Sequence, residues 1–364
     1  MISILIPTIN RSEFVRRALQ YYAQTGFNGW VCLGDSSNEE HQANIRAAIQ
    51  SVQDRLHVIY RYFPSPPYTN AALCLRELIE LVPTPYAVYS GDDDFLVPRT
   101  LEKCAAFLKA HPDYSAVNGL SVALTLNGAG AHGEITEARS VGAQRLESPR
   151  ALERWVGYVR QSMSTQYYVH SLDAWRRMYR DAPNVPSRYL GPEFLPGSLS
   201  AILGKITDID ELACVFQVNQ AKNFGWRTHS LYALMMSPQW TASVHAVRES
   251  IIQALMEQDG LSREETQRVF DQEFWRHLNF MLQGHYRLHH PEPLNVYDAL
   301  KRRRWLVEIY RGLQNRRTLP RRPIPLKRRL RPGEPLHDDF MPVYQAITAP
   351  PPRWHGVASV SPSR

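Results

Sequence analysis

The sequence predicts an α/β fold, a mostly parallel sheet flanked by helices, followed by a helical and basic C-terminal extension. Three observations predict it. Short apolar runs alternate with helical spacing over residues 1 to about 120, polar turns carrying aspartates close several of those runs, and lysine and arginine concentrate late in the chain.

The elements follow in order. Ile2 to Pro7 is a compact apolar run ended by proline, and Ser12 to Tyr22 carries helical spacing through Phe14, Val15, Leu19 and Tyr22. Trp30 to Leu33 is a second short strand, cut off by Gly34-Asp35-Ser36-Ser37-Asn38, residues that favour turns and helix caps. A charged helix runs from about Glu39 to Gln53, His57 to Tyr62 is a third strand, and Asn70 to Leu81 a helix. Tyr86 to Tyr89 is a fourth strand that leads straight into Gly91-Asp92-Asp93-Asp94. Pro98 to Ala110 is a helix with proline in its first turn, where a missing N–H costs little. Asp35 and Asp92 to Asp94 therefore stand at the carboxyl ends of strands, where open parallel sheets bind ligands.

From Tyr114 to about Gly225 the pattern is less regular, with helical signals at Pro149 to Gln161, Leu172 to Arg180 and Leu195 to Gly204. Helices return at Ala246 to Met256, Ser262 to Gln283 and Asn295 to Leu313, with a capping box at Ser262 to Glu265. We expect a nucleotide-binding and catalytic domain over 1–225, a mainly helical region over 226–347 and a loose, Pro- and Ser-rich tail over 348–364.

The chain has 364 residues, 44% of them hydrophobic and 21% charged, which excludes wholesale disorder, collagen and coiled coil. The net charge of +7 is local. Between Lys301 and Pro332 thirteen Lys and Arg face the single Glu308, which leaves −5 for the rest of the chain. Such a run suits anionic lipid headgroups, and it lacks a motif for reading nucleic acid. Cys32, Cys74, Cys104 and Cys214 share no zinc or redox spacing and read as small buried hydrophobes of a reducing compartment. No apolar stretch is long enough to span a bilayer, and the apolar start lacks the basic lead-in of a signal peptide, so a cytosolic protein is expected.

Three consecutive aspartates after an apolar strand carry the strongest chemical signal. Like charges this close raise one another's pKa, and a divalent cation would neutralise them. Mg²⁺ or Mn²⁺ takes one or two carboxylates and completes its shell with water and substrate phosphates. The plain alternative is a solvated acidic turn capping the next helix. Asp35 could accept hydrogen bonds from a nucleobase or ribose. The segment Pro7-Thr8-Ile9-Asn10-Arg11 could offer backbone groups and Arg11 to a nucleotide, and Asn70 and Arg76 precede the aspartates, where an arginine could meet phosphate. Tyr167, Tyr168 and Trp226 receive no role, since aromatic residues more often fill cores.

The order Ile4-Leu5-Ile6-Pro7-Thr8 with Asn10-Arg11, then Leu33-Gly34-Asp35-Ser36-Ser37, then Thr84-Pro85-Tyr86-Ala87-Val88-Tyr89 and Asp92-Asp93-Asp94-Phe95-Leu96-Val97-Pro98 resembles inverting glycosyltransferases of the GT-A, family 2 type. It is most similar to a bacterial subgroup with the same Gly-Asp-Ser-Ser and Asp-Asp-Asp-Phe-Leu-Pro-like segments. The resemblance is specific over residues 1 to about 120 and continues weakly to about Asn219.

The resemblance implies a GT-A fold (Rossmann-like) and a nucleoside-diphosphate sugar donor. Base and ribose would lie near Pro7, Thr8, Asn10, Arg11 and Asp35, with the diphosphate on an Asp-x-Asp-like cluster. Asp94, with Asp92 or Asp93 beside it, would hold Mn²⁺ or Mg²⁺, and His245 is the candidate for an additional late ligand. It also implies a general base beyond the metal site. Glu193 heads that list, ahead of Asp208 and Asp210 in the alternating stretch Ile206 to Asp210. The sequence departs from the pattern at Gly34, where the family usually has the first of two aspartates, which puts the base contact on Asp35 alone. It also lacks the Gln-x-x-Arg-Trp motif of processive synthases, which disfavours repeated polymer extension. The expected reaction is metal-dependent transfer of a sugar to a hydroxyl of a glycan, lipid-linked or other acceptor, in bacterial polysaccharide or glycoconjugate synthesis, in the cytoplasm or at the inner membrane surface. The alternatives are a nucleotide-sugar-binding module without catalysis, a nucleotidyltransferase, and a nucleic-acid-binding protein using the basic segment.

Overall fold

The computed structural model describes residues 1–66, 71–143, 145–161, 164–219, 231–289, 331–334 and 336–349. Within them the chain forms one nine-stranded sheet between two helical layers. Strands β1 (Ser3–Thr8), β2 (Trp30–Asp35), β3 (His57–Tyr62) and β4 (Tyr86–Tyr89) pair in parallel in the order β3-β2-β1-β4. Helices α1 (Ser12–Gln24), α2 (Glu39–Gln50) and α3 (Ala71–Ile79) connect them. Successive connections step outward from β1 to β3, then the chain returns to the other side of β1 at β4. The carboxyl edge between β1 and β4 is thus a topological switch point, the place where such sheets leave a crevice.

Beyond β4 the sheet is mixed. The two-residue β5 (Phe95–Leu96) leads to α4 (Pro98–Ala110), then β6 (Tyr114–Leu126) and β7 (Ile135–Val141). Helix α5 (Ala151–Gln161), β8 (Val169–Ser171), α6 (Leu172–Tyr179), α7 (Leu195–Leu203) and β9 (Lys205–Asn219) follow. The short β8 lies antiparallel between β4 and β6, while β6 and β9 run parallel over their full lengths. The irregular sequence over this stretch has a structural cause. The β6–β9 register shifts on both sides of Leu120, so the hydrophobic alternation loses phase there.

Alternation on the strands divides the core. Ile4, Ile6, Val31, Leu33 and Val88 face a layer made by α1, α2, α4 and the C-terminal helix α11 (His337–Thr348). Leu5, Cys32, Ala87 and Ala116 face the opposite layer of α3, α5, α6 and α7, together with α8 (Leu231–Met235), α9 (Trp240–Asp259) and α10 (Arg263–His289). Trp175 on α6 is fully buried and donates its indole N–H to the Ala87 carbonyl at 2.8 Å, which fixes that helix against β4. Glu265 N–H donates to Ser262 Oγ at 3.2 Å, so the expected cap does open α10. All four cysteines are free and buried. Among the described residues no helix is long and apolar enough to cross a membrane. The basic segment 301–332 lies outside the described residues except for Arg331 and Pro332, as does the tail beyond Ala349.

Candidate active site

Three loops meet at the carboxyl edge. The register sets Pro7 beside Gly34 and Thr8 beside Asp35, and Ser36 N–H donates to the Thr8 carbonyl at 3.0 Å. Asn10 takes a left-handed backbone (φ 53°), which asparagine tolerates better than most residues. That turn lets its N–H donate to Ser37 Oγ at 2.7 Å while its Oδ1 accepts from Asn38 N–H at 2.9 Å. Asn38 in turn caps α2, accepting from His41 N–H at 3.1 Å. The loops after β1 and β2 therefore form one hydrogen-bonded unit.

The acidic loop is tighter. Ser90 N–H reaches the Leu5 carbonyl at 2.9 Å and Asp94 N–H closes back on Gly91 O at 3.2 Å, so three carboxylates fan out from one turn. A Cβ on Gly91 would stand 2.7 Å from Asp94 Oδ2 and 2.9 Å from Asp93 Oδ1, which is why glycine occupies it. Asp92 accepts from Thr8 Oγ1 at 2.7 Å and pairs with Arg11 at 3.0 Å; the same guanidinium pairs with Asp93 at 2.8 Å. Asp94 points the other way. Its Oδ1 accepts from the backbone N–H of Gln217 at 3.0 Å and its Oδ2 from the Tyr167 hydroxyl at 2.5 Å. Beneath the loop, buried Arg17 donates to the carbonyl of Asp93 at 2.9 Å, to Gln217 Oε1 and to Ala131 O.

Burial pushes the Asp92 carboxyl up to about 6, with Arg11 opposing it and Asp93 adding to it. Burial likewise holds Asp94 well above the usual carboxylate range, with Asp93 adding to the rise and the Tyr167 and Gln217 hydrogen bonds opposing it. Desolvation lowers Arg17 to about 10, against the pull of all three aspartates. Three carboxyl groups thus face two guanidinium groups, with burial favouring the protonated form of Asp92 and Asp94.

These donors suit a hard divalent cation in kind, being all oxygen and partly uncompensated. Among the described residues no three His, Cys, Asp or Glu side chains are grouped to hold a metal. A cation here would take one or two of these carboxylates, the number Mg²⁺ or Mn²⁺ uses when phosphate completes its shell. Asp94, the expected ligand end of the cluster, has both oxygens hydrogen-bonded inside the protein, and so does Asp92, through Thr8 and Arg11. His245 is exposed on α9, on the far side of the helix from the buried Ser243 and Val247, and it helps to lower the pKa of Glu249 one turn on, behind the hydrogen bond from Arg263.

Asp35 is fully buried and accepts from Ser37 N–H at 2.9 Å and the Tyr60 hydroxyl at 2.8 Å. Its first task is to shape the β2 turn. Gly34 is explained by packing. A Cβ there would stand 2.7 Å from Cys74 Sγ on α3 and 3.2 Å from the Phe63 ring, so no aspartate fits beside Asp35. Arg76 pairs with its neighbour Glu77 at 2.9 Å rather than with the acidic loop, and Asn70 lies outside the described residues.

Glu193 stands on a wide π-helical turn (Leu190–Phe194) that runs directly into α7, a type of turn often found at functional sites. Its charge raises the pKa of Tyr158, Tyr179 and Tyr189 around it, behind the larger effect of their burial. The turn is tied toward the acidic loop: Gln166 Nε2 donates to Pro192 O, and the next residue, Tyr167, is the one that holds Asp94. Asp208 and Asp210 are not brought there. Asp208 is buried in β9 opposite Asn118 and takes the Tyr168 hydroxyl at 3.3 Å, while Gln217, which touches Asp94, lies opposite Leu124. Six residues along β6 separate Asn118 from Leu124, roughly 20 Å of strand. Asp210 is exposed in the stretch where the register slips.

Sequence reasoning missed Arg17, Gln166, Tyr167 and Gln217. One signal was present for Arg17, since Phe14, Arg17, Ala18 and Tyr21 share the core-facing stripe of α1 and a cation there needs buried partners. The other three act through contacts 26 or more residues away in sequence, for which local pattern holds no sign.

No family model matches the chain. Among solved structures it is similar to S. aureus TarS, with 12% identity and a TM-score of 0.48, covering 82% of this chain and 46% of that one. The chain thus spans under half of that protein's length. It is also similar to S. aureus TarS 1-349 in complex with UDP-GlcNAc (14% identity, TM-score 0.49, covering 82% and 77%). A third is the mannosyltransferase PcManGT from Pyrobaculum calidifontis in complex with GDP-Man and Mn²⁺ (13% identity, TM-score 0.42, covering 80% and 81%). At TM-scores below 0.5, the residues at the sheet edge carry the functional reading by themselves.

Proposed function

We propose that the protein is an inverting, GT-A type glycosyltransferase that moves a sugar from a nucleoside diphosphate to an acceptor hydroxyl. The observation that carries the reading is the switch point itself: Thr8 at the end of β1 with Arg11 beyond it, Asp35 at the end of β2 and Asp92 to Asp94 after β4 share one carboxyl edge. Bound there, Mn²⁺ or Mg²⁺ on Asp92 and Asp93 would supply positive charge to the departing diphosphate. Arg11 is placed to give up a carboxylate for a phosphate oxygen, and Pro7, Thr8, Asn10 and Asp35 form the wall toward base and ribose. Glu193 is the base in this reading. It takes the proton of the acceptor hydroxyl as that oxygen bonds to the anomeric carbon and the bond to the nucleoside diphosphate breaks on the opposite face. The acceptor is a glycan, a lipid-linked sugar or another hydroxyl compound. The basic segment 301–332 is proposed to meet anionic headgroups and so to bring the enzyme to a membrane surface.

The test is thermal shift with UDP, GDP and their sugars, alone and with Mn²⁺ or Mg²⁺, followed by turnover of any donor that binds. We expect a nucleotide-dependent rise in melting temperature that Asp93→Asn removes, and a Glu193→Gln variant that keeps the rise while losing transfer by about 100-fold or more. No response to any nucleotide with either metal refutes the reading. Full turnover by Glu193→Gln removes Glu193 from the base role and leaves donor binding in place.

A further inference from the structure

We propose that the adjacent residues Gln166 and Tyr167 couple the acidic loop to the Glu193 turn, acting as positioning residues for a site read above as a sugar-transfer site. The inference deepens that reading and rests on it for its chemistry, although the coupling itself is a property of the chain.

The two residues form part of a turn just before β8, closed by Tyr168 N–H donating to Thr165 O at 3.0 Å. Tyr89 N–H, at the end of β4, donates to Gln166 O at 3.3 Å, so the turn is anchored to the strand that feeds the aspartates. Tyr167 packs edge-on against Tyr89 and Phe216, with centroids 5.0 and 4.7 Å away, and its hydroxyl holds Asp94 Oδ2. Phe216 precedes Gln217, whose N–H takes the other oxygen of Asp94. Through Tyr167 the acidic loop is gripped from the mixed half of the sheet.

Gln166 reaches the other way. Its Nε2 donates to the Tyr179 hydroxyl at 2.7 Å and to the carbonyl of Pro192, and its Oε1 accepts from Ser164 Oγ at 3.1 Å. Both amide protons are thereby used, and the side chain is fixed in rotation. The sequence explains why Pro192 O is available. In a regular helix that carbonyl would be met by the N–H four residues on, but residue 196 is proline and has none. Pro192 is half-buried, and Gln166 and the Tyr179 hydroxyl, at 3.2 Å, donate to this carbonyl instead. Glu193 is the next residue, with its own N–H on Tyr189 O at 3.2 Å. One peptide link therefore joins the carboxylate loop to the turn that carries the proposed base. Movement of Asp94 when a diphosphate enters is passed to Pro192 and Glu193 without a further intermediary.

Hydrogen exchange on the unliganded full chain tests the coupling without any donor. Tyr167→Phe removes only the bond to Asp94, yet it is expected to speed exchange of the amides at Gly191, Glu193 and Phe194 about fivefold as well as those of residues 91–94. Tyr179→Phe removes one donor to Pro192 without touching the acidic loop, and is expected to raise exchange at Asp93 and Asp94 by a smaller factor. It also serves where a Gln166→Leu variant does not fold. Changes confined to each variant's own loop overturn the proposal. With UDP and Mn²⁺ as the probe, Gln166→Leu or Tyr179→Phe is expected to weaken UDP binding at least threefold, and unchanged UDP affinity overturns the proposal too. Wild-type protein that binds no nucleotide while its loops exchange in concert refutes the transferase reading and leaves the coupling standing.

Discussion

In the parallel half of the sheet, Thr8 and Asp35 end their strands, and Arg11 and Asp92 come three residues after β1 and β4. In the mixed half, Tyr167 and Gln217 reach the same edge from 73 and 123 residues away in sequence, and Glu193 stands on a turn that Gln166 ties to this half. The first kind of placement needs only a strand, a turn and a helix in the right order. The second needs the whole sheet to be assembled, since β8 must lie between β4 and β6 before Tyr167 can meet Asp94. The parallel half thus presents charge, and the mixed half decides which way that charge points.

The sharpest way to break this division is to repair the parallel half by motif alone. Gly34→Asp would restore the pair of aspartates common in the resembling family. The side chain would start 2.7 Å from Cys74 Sγ, next to the fully buried Asp35, with the exposed Arg61 opposite it on β3. We expect overpacking and a carboxylate crowded against the buried Asp35 to cost on the order of 4 kcal/mol, with loss of soluble protein. Urea denaturation of any folded fraction measures it. A variant as stable as wild type would mean that α3 can move away from β2, and that this side of the crevice has room for a second carboxylate toward the nucleotide after all.

This result bears on what the sequence could convey. The strands His57–Tyr62 and Tyr86–Tyr89 and the helix Pro98–Ala110 are legible to the residue, because apolar runs, a following polar turn and an N-terminal proline are all local signals. Asp92 and Arg11 were legible as partners of something charged. Their pairing with each other was not, because it depends on how β1 and β4 align. The partners of Asp94 were illegible for the same reason, its direction being set by Tyr167 and Gln217. The strands β6 and β9 were largely illegible, since register shifts spoil their period. Asp208 and His245 were proposed from residue type, and the strand length and helix face then put them elsewhere.

A second prediction addresses how the mixed half is held together. His170 on β8 is fully buried, its Nδ1–H assigned as donor to Tyr168 O at 2.8 Å and its Nε2 as acceptor from Ser200 Oγ at 2.8 Å. Burial lowers its pKa from 6.5 to about 4. Between those values the unfolded chain takes up a proton that the folded chain refuses, so stability is complete above pH 6.5 and lost as pH falls toward 4. The shift corresponds to about 3 kcal/mol. Asp92, raised by burial, works in the opposite direction, so the useful quantity is the difference between wild type and His170→Gln in chemical denaturation at pH 7.5 and 4.5. The variant is expected to start less stable and to lose less on acidification. Equal losses would show that the imidazole is not what makes this half acid-sensitive.

The smallest effect belongs to the parallel half. Asn38 closes the unit formed by the first two loops, with its Oδ1 capping α2 through His41 N–H and its own N–H on Asn10 Oδ1. Because the cap is local, Asn38→Ala is expected to cost about 1 kcal/mol, seen as a modest drop in the urea midpoint without a change in slope. Asn38→Asp keeps an acceptor at the cap and adds negative charge where the helix dipole favours it, and should recover the loss. The backbone bond to Asn10 survives both changes, so the Asn10 turn and Arg11 should stay in place and nucleotide affinity should follow stability only weakly. A large loss of affinity in Asn38→Ala with Asn38→Asp unaffected would instead make the α2 cap part of the site, and would extend to the first two loops the long-range dependence found so far only around Asp94.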